Sequence, residues 1–359
     1  MIIKSAKPCL DEEDRQAILQ VFDSGLIADG GEIERFEADL AVFLHTPSAV
    51  AVSSGFAALH LSLKALEVAA GDEVIIPCVS TCPALRNAVW AVGATPVYAD
   101  TNRMDFNLSV ESARRAITPR TKAVIAPHHT GVVADIPALN ELGLPVIEDC
   151  AQALGGTWRG RPAGSLGAAA VFAFYATKMI TSVDGGAVAS SSVPLLERVR
   201  DLRYYRYCSD DRMRFNYKMQ NLEAALGRSQ LKKLSRFIAR RTANANRFLE
   251  VFQTVGGRAD QSLHQSGGSV YFKLALLLPP AVRDQLLEAG RRLGLPCSTE
   301  FWWLTGAVAE RYPNAFRLMA RIVTVPVYPA LGDEELDFAA TAFRQALEEV
   351  RPRITEGAE

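Results

Sequence analysis

The six cysteines, Cys9, Cys78, Cys82, Cys150, Cys208 and Cys297, form no CxxC pair and join no histidine at zinc spacing. Scattered thiols of this kind suit a reducing, cytoplasmic setting, and no metal is expected. No apolar run reaches the roughly 20 residues of a membrane-spanning helix. The opening MIIKSAKPCLDEEDR turns acidic too early for a signal peptide. Neither sign of charge is in excess: the formal net charge is -1, so nucleic acid and anionic membranes are not expected partners. No GxGxxG or P-loop follows any apolar run, which argues against dinucleotide and P-loop chemistry. Internal repeats and low-complexity segments are also lacking.

What is present is the profile of a globular α/β protein. The chain has 359 residues, 49% apolar and 22% charged, enough for one large domain and a smaller one. Residues 11–22 read as an amphipathic helix with acidic residues in its first turn, and Glu32–Leu44 as a second. Between Ala49 and Ala189 short apolar runs alternate with helical stretches. The strands read Ala49–Val52, Val74–Pro77, Pro96–Ala99, Ala123–Ala126, Pro145–Glu148, Ala170–Phe174 and Gly186–Ala189. Such alternation predicts a mostly parallel central sheet with helices on both faces, and the continuous apolar runs fit strands buried on both sides. Beyond Ser190 the pattern turns helical, with one long amphipathic helix ending near Phe248. A smaller α/β unit follows: strand Val270–Leu278, helix Ala281–Leu293, strand Val323–Val325 and helix Asp333–Glu349. The expected division is a large domain, 1–248, and a small C-terminal domain, 249–359, with a disordered tail from Thr355 to Glu359.

Three strand ends carry groups capable of chemistry. One ends in His128-His129-Thr130-Gly131, one in Glu148-Asp149-Cys150-Ala151-Gln152, and one leads through Thr177 to Lys178 and on to Asp184-Gly185-Gly186. In an open α/β sheet such ends meet at one edge, where ligands bind. A lysine there can act as a nucleophile toward carbonyls, including pyridoxal phosphate (PLP). Taken alone, a lysine after a strand is most often a solvated loop residue. Val52 runs through Ser53-Ser54-Gly55 into a helix, and the free amides of such a start are either an anion site or an ordinary capped end.

Six stretches recur in one order: Ser53-Ser54-Gly55-x-Ala57-Ala58-Leu59-His60, Gly71-Asp72-Glu73-Val74, Thr118–Ala123, Glu148-Asp149-x-Ala151-Gln152, Thr177-Lys178 with Asp184-Gly185-Gly186, and Asn216-Tyr217-Lys218-Met219. Together they resemble the DegT/DnrJ/EryC1/StrS family of PLP-dependent sugar aminotransferases over nearly the whole chain. The resemblance implies the fold type I aminotransferase architecture and a homodimer with shared active sites. The implied substrates are an amino acid donor such as glutamate and a keto-sugar acceptor, nucleotide-linked in many members. It assigns Lys178 to the lysine that carries the cofactor and moves the proton, Asp149 to the partner of the pyridine nitrogen, and Gln152 to the neighbourhood of the 3-oxygen. Gly55, Phe56 and Ala57 match the phosphate turn, Asn216 a phosphate contact from the neighbouring subunit, and His128 the histidine of an HxxG stretch.

Several positions depart from the family pattern. Phe56 stands where threonine is usual, Ala173 where serine is usual, and Asp184 where glutamate is common. The stretch Cys78-Val79-Ser80-Thr81-Cys82-Pro83 lacks the aromatic that often stacks on the cofactor, leaving Cys82 as its cofactor-side candidate. Two missing hydroxyls imply weaker phosphate binding unless Ser53, Ser54, Thr177, Thr181 or Ser182 replaces them. Lys178 speaks against the family's deoxygenating branch, which has histidine there. Another PLP reaction, a dehydration or lyase step on a small biosynthetic intermediate, and a non-catalytic role stay open as alternatives. Phe301, Trp302 and Trp303 read either as a stacking face for sugar or base or as packing between domains. Arg203 and Arg206, among tyrosines, read as a diphosphate or carboxylate contact or as a solvated interface.

Overall fold

A computed structural model of the chain describes residues 1–205, 210–258, 261–264, 268–306 and 308–354. Arg206, Cys208 and the tail 355–359 lie outside the described residues. Seven strands form the main sheet: β1 (Ser48–Val52), β2 (Glu73–Pro77), β3 (Thr95–Ala99), β4 (Thr121–Pro127), β5 (Val146–Asp149), β6 (Ala169–Ala173) and β7 (Gly186–Ser190). Their order across the sheet is β1-β7-β6-β5-β4-β2-β3. Both pairings of β7 are antiparallel and the other four are parallel. The sheet is the expected α/β, fold type I arrangement.

Strand alternation divides the apolar residues between two layers. Ala49 and Ala51 face a core shared with Phe36, Leu40, Phe172 and Phe174. Val50 and Val52 face another, shared with Leu59, Leu61 and Val188. A third core belongs to the C-terminal unit. There β8 (Leu274–Leu277) pairs antiparallel with β9 (Ile322–Val325) under the helices Pro280–Arg292 and Asp333–Ile354.

The long helix expected up to Phe248 is two helices, Asn221–Lys232 and Leu234–Thr254, parted at Lys233. The second runs through position 248, and Ala245, Phe248, Val251 and Phe252 already sit in the C-terminal core. The strand expected from Val270 begins only at Leu274. The residues before it are held elsewhere, with the Val270 and Phe272 amides donating to the Gly131 and Thr130 carbonyls at 3.1 and 3.0 Å. A short strand pair unseen in the sequence, Val79–Ser80 with Trp302–Trp303, ties the C-terminal part to the end of β2. No described helix is long and apolar enough to cross a membrane.

Candidate active site

The parallel strands carry Pro77, Pro127, Asp149 and Ala173 to one edge, where the loops that follow them meet. Lys178, Asp149, Gln152, His128 and Cys82 line one pocket there, with Thr81 and His129 among the residues completing its wall. Five candidates from four separate segments are thus brought together.

Each is held by identifiable bonds. Lys178 follows a tight turn in which its amide donates to the Tyr175 carbonyl at 2.9 Å. Its Nζ lies 5.6 Å from the centre of the Phe272 ring. Asp149 Oδ1 accepts the Ala151 amide at 3.0 Å. Burial raises the Asp149 carboxyl above its ordinary range, and the Ala151 amide, Lys178 and His128 pull it back. Gln152 Oε1 accepts the Thr130 amide at 2.7 Å, and its Nε2 donates to Thr81 Oγ1 at 2.8 Å. One Nε2 hydrogen is left for a ligand. Cys82 is exposed at the mouth.

His128 is fully engaged. Its Nδ1 accepts the Ala134 amide at 3.0 Å, and its Nε2 faces Glu148 Oε2 at 3.2 Å. Glu148 is wholly buried and also accepts the amides of Gly164, Leu166 and Gly167 at 2.7–2.8 Å. His128, Glu148 and Cys150 place ligand-type atoms within 4.8 Å of one another. These hydrogen bonds already occupy the histidine and the carboxylate, so the cluster reads as a structural clamp.

The helix Gly55–Ala65 points its N-terminus at β6. A Cβ on Gly55 would lie 2.6 Å from the Ala173 Cβ, so glycine is what permits this approach. The first amides of a helix have no intrahelical partner. Ser54 Oγ accepts that of Ala57 at 3.1 Å, so of the three expected cradle amides Gly55 and Phe56 are not taken by this cap. Ala57, expected to share that role, is engaged by the cap. Phe56 packs beside His60, 6.2 Å between rings. Of the hydroxyls near the turn, Ser54 caps the helix, Thr181 bonds the Phe174 carbonyl and the Val183 amide, and Ser182 bonds the Asp184 carbonyl. No side-chain hydrogen bond of Ser53 or Thr177 is found among the described residues, so these two stay as candidate replacements.

Asn216 does not line the pocket. It is exposed and bridges to Tyr204, while Tyr217 beside it accepts the Ser53 amide at 2.7 Å. Arg203 is bound to Glu37 and to the Ala51 carbonyl, so it is a structural tie. The three adjacent aromatics separate. Phe301 stacks on Phe106 at 3.7 Å, Trp303 packs near Tyr312 and Phe316, and Trp302 is exposed opposite Ser80.

The family model described as the DegT/DnrJ/EryC1/StrS aminotransferase family matches residues 8–344. The chain belongs to that family. It is 31% identical over 370 residues to the spore coat polysaccharide biosynthesis protein SpsC of Bacillus subtilis (strain 168), covering 94% of this chain and 95% of the relative. It is 34% identical over 357 residues to GDP-perosamine synthase of Vibrio cholerae, covering 92% and 95%. The solved structure of Spr1654 from Streptococcus pneumoniae in its PLP form aligns with a TM-score of 0.89 at 25% identity, over 98% of this chain and 100% of that one. A PMP form of the same protein is also solved. Family members are PLP-dependent aminotransferases.

The residues present fit that cofactor: a half-buried carboxylate for a cationic ring nitrogen, an amine for its carbonyl, and a helix N-terminus for its phosphate. Sequence reading did not single out Thr81 or His129. His129 is buried, its Nε2 has no partner among the described residues, and its ring meets Phe301 edge-on at 5.1 Å. Burial, with His128 adding, pushes its pKa down to about 3. Unfolded histidine titrates near ~6.5. Between the two values only the unfolded chain holds the proton, so stability falls as pH drops through that window. His129→Gln should therefore flatten the pH dependence of unfolding free energy by up to about 1.4 kcal/mol per pH unit between roughly pH 5.5 and 4. Urea denaturation across that range checks this, and an unaltered slope would refute it.

Ala173 lies against the phosphate-type cradle, so Ala173→Ser should add a donor there. A hydrogen bond to a charged group contributes about 1.5–3 kcal/mol, an affinity gain of roughly tenfold or more. Titration of apo-protein with PLP, followed by visible absorbance, compares the two. Equal affinity would mean that Ser53 and Thr177 already satisfy the phosphate.

Proposed function

We propose that the protein transfers an amino group from an amino acid, glutamate by family resemblance, to a nucleotide-linked keto-sugar in saccharide biosynthesis. The observation carrying this is the convergence of Lys178 and Asp149 on one strand-end pocket in a chain of this family. The names of its relatives, GDP-perosamine synthase and a polysaccharide biosynthesis protein, support the sugar acceptor.

Bound PLP supplies an electron sink for the carbanion formed at the substrate carbon. The chain's own residues do the rest. Asp149 holds a proton on the ring nitrogen. Burial raises its carboxyl above the ordinary range, and a cationic ring N–H facing it would act in the opposite direction, favouring the ionised form. Lys178 Nζ would take the proton from the donor's α-carbon and, in the reverse movement with the keto-sugar bound, deliver a proton to the acceptor carbon. Gln152, held between Thr130 and Thr81, offers its remaining N–H to the ring oxygen. The Gly55 and Phe56 amides hold the phosphate, with the Phe56 ring screening it from water. Cys82 forms part of the wall. His128, with both ring nitrogens engaged, is a positioning residue that keeps β4 and β5 in register.

In this reading residues 1–248 form the cofactor domain and 249–359 a smaller unit closing its mouth. The setting is cytoplasmic, in keeping with free thiols at every described cysteine. The active unit is a homodimer in which Asn216 completes the phosphate site of the partner. Its exposure, and its place outside its own chain's pocket, support that role.

Borohydride reduction of the coloured holoprotein should fix the cofactor's mass on the peptide containing Lys178; a label on any other lysine removes Lys178 from the role. Asp149→Asn should keep the colour and lose turnover by about a hundredfold or more, and near-normal turnover would exclude Asp149.

Hybrid dimers of Lys178→Ala and Asn216→Ala subunits should recover activity that neither parent shows. No recovery under confirmed subunit exchange would place Asn216 in its own subunit's site or in none.

A further inference from the structure

Arg241, in the middle of the helix Leu234–Thr254, is 3% exposed. Its Nη1 donates to the Phe272 carbonyl at 3.0 Å, and its Nε has no partner. No described carboxylate pairs with it. The acids on the neighbouring helix, Asp11 and Asp14, face Lys233 at 2.6 and 2.7 Å instead, with Arg236 on Asp11 at 2.9 Å. A buried cation without a counter-charge is costly unless something anionic joins it. Desolvation lowers the Arg241 pKa to about 10, the mark of that unmet cost.

Arg241 opens onto a cleft with Lys7, Cys9, Thr181, Gln230 and Lys178 on its walls, and the cleft has no acidic residue. Three cationic side chains thus converge on one small space. Two of them flank a single ring: Lys178 Nζ and the Arg241 guanidinium lie 5.6 and 5.8 Å from the centre of Phe272. The cleft shares Lys178 with the Asp149 pocket but none of the latter's other residues.

We infer that this cleft is the carboxylate subsite for the amino acid donor. Arg241 and Lys7 hold the carboxylate while the donor's amino group reaches Lys178. A carboxylate suits the site because guanidinium forks bind it in two-point fashion, and because an amino acid carries it two bonds from the nitrogen to be transferred. The cofactor's phosphate belongs at the Gly55 helix start, on the Ala173 side. This inference rests on the reading of Lys178 as the amine at the centre of the reaction.

The test titrates the holoenzyme with glutarate, a dicarboxylate with no amine, and reads thermal stabilisation and competition against glutamate. Wild type should bind glutarate. Arg241→Met should weaken it about tenfold or more, and so should Lys7→Glu, a charge reversal at an exposed position. Affinities for PLP and for GDP, a nucleotide diphosphate probe, should stay within about twofold.

If Arg241→Met fails to fold, Lys7→Glu decides, since Lys7 is exposed. Glutarate affinity unmoved by Lys7→Glu overturns the inference, as does a loss that falls on PLP or GDP instead. A wild type whose cofactor absorbance responds to glutamate, but which aminates no keto-sugar, would sink the acceptor reading and leave this subsite. Amination of a keto-sugar with glutarate binding unchanged in both variants would do the reverse.

Discussion

The site depends on one wholly buried carboxylate. Glu148 gathers three amides from the 164–167 turn and the His128 ring, and a buried charge survives only when its lone pairs are so filled. Through these bonds β5 is tied to the loop before β6 and to the end of β4. Asp149 comes next and, because strand side chains alternate, points to the other face. Two successive acids therefore divide the labour. One spends its hydrogen-bonding capacity on holding strand ends together, and the other faces the pocket.

A second frame fixes what faces Lys178. The turn His129–Gly131 holds Thr130 at φ 57 and Gly131 at φ 90, left-handed values that suit glycine and cost other residues. A Cβ on Gly131 would lie 2.8 Å from the Phe272 nitrogen. That close approach lets the Thr130 and Gly131 carbonyls take the Phe272 and Val270 amides, and Arg241 takes the Phe272 carbonyl. Phe272 is thus pinned from both sides of its peptide between the large sheet and the C-terminal core. Its ring lies 5.6 Å from Lys178 Nζ and 5.8 Å from the Arg241 guanidinium.

Much of this was legible in the sequence. All seven sheet strands follow from apolar runs, because a strand buried on both faces leaves an unbroken signal. Lys178, Asp149 and Gln152 were legible because strand ends in such a sheet converge. What was hidden was partnership. Nothing in Glu148-Asp149 says which acid is structural until the turn at 164–167 is seen. Thr181 and Ser182 read as free hydroxyls but bond to backbone nearby. Arg241 sits beside Arg240 in a basic helix, and only burial separates the two: Arg240 reaches Asp333, while Arg241 is buried against the cleft beside Lys178. The helix break at Lys233 carries no proline or glycine to announce it. It follows from tertiary demand, since Lys233 is needed at Asp11 and Asp14.

The segment after Pro77 shows how a missing ring is met by another kind of order. Where an aromatic would stack, Thr81 accepts the Gln152 amide, and Val79–Ser80 takes Trp302–Trp303 as a strand partner. Stacking contributes area and tolerates sliding, whereas hydrogen bonds fix direction. The wall opposite Asp149 is therefore polar and stiff, anchored to the C-terminal unit through the Leu304 amide on the Cys78 carbonyl at 2.8 Å and Arg86 on the Leu304 carbonyl at 2.9 Å. The pocket thus presents polar groups, the Asp149 carboxyl and the Gln152 amide, where a ring would have stacked. Both are positioned by the frame that Glu148 begins.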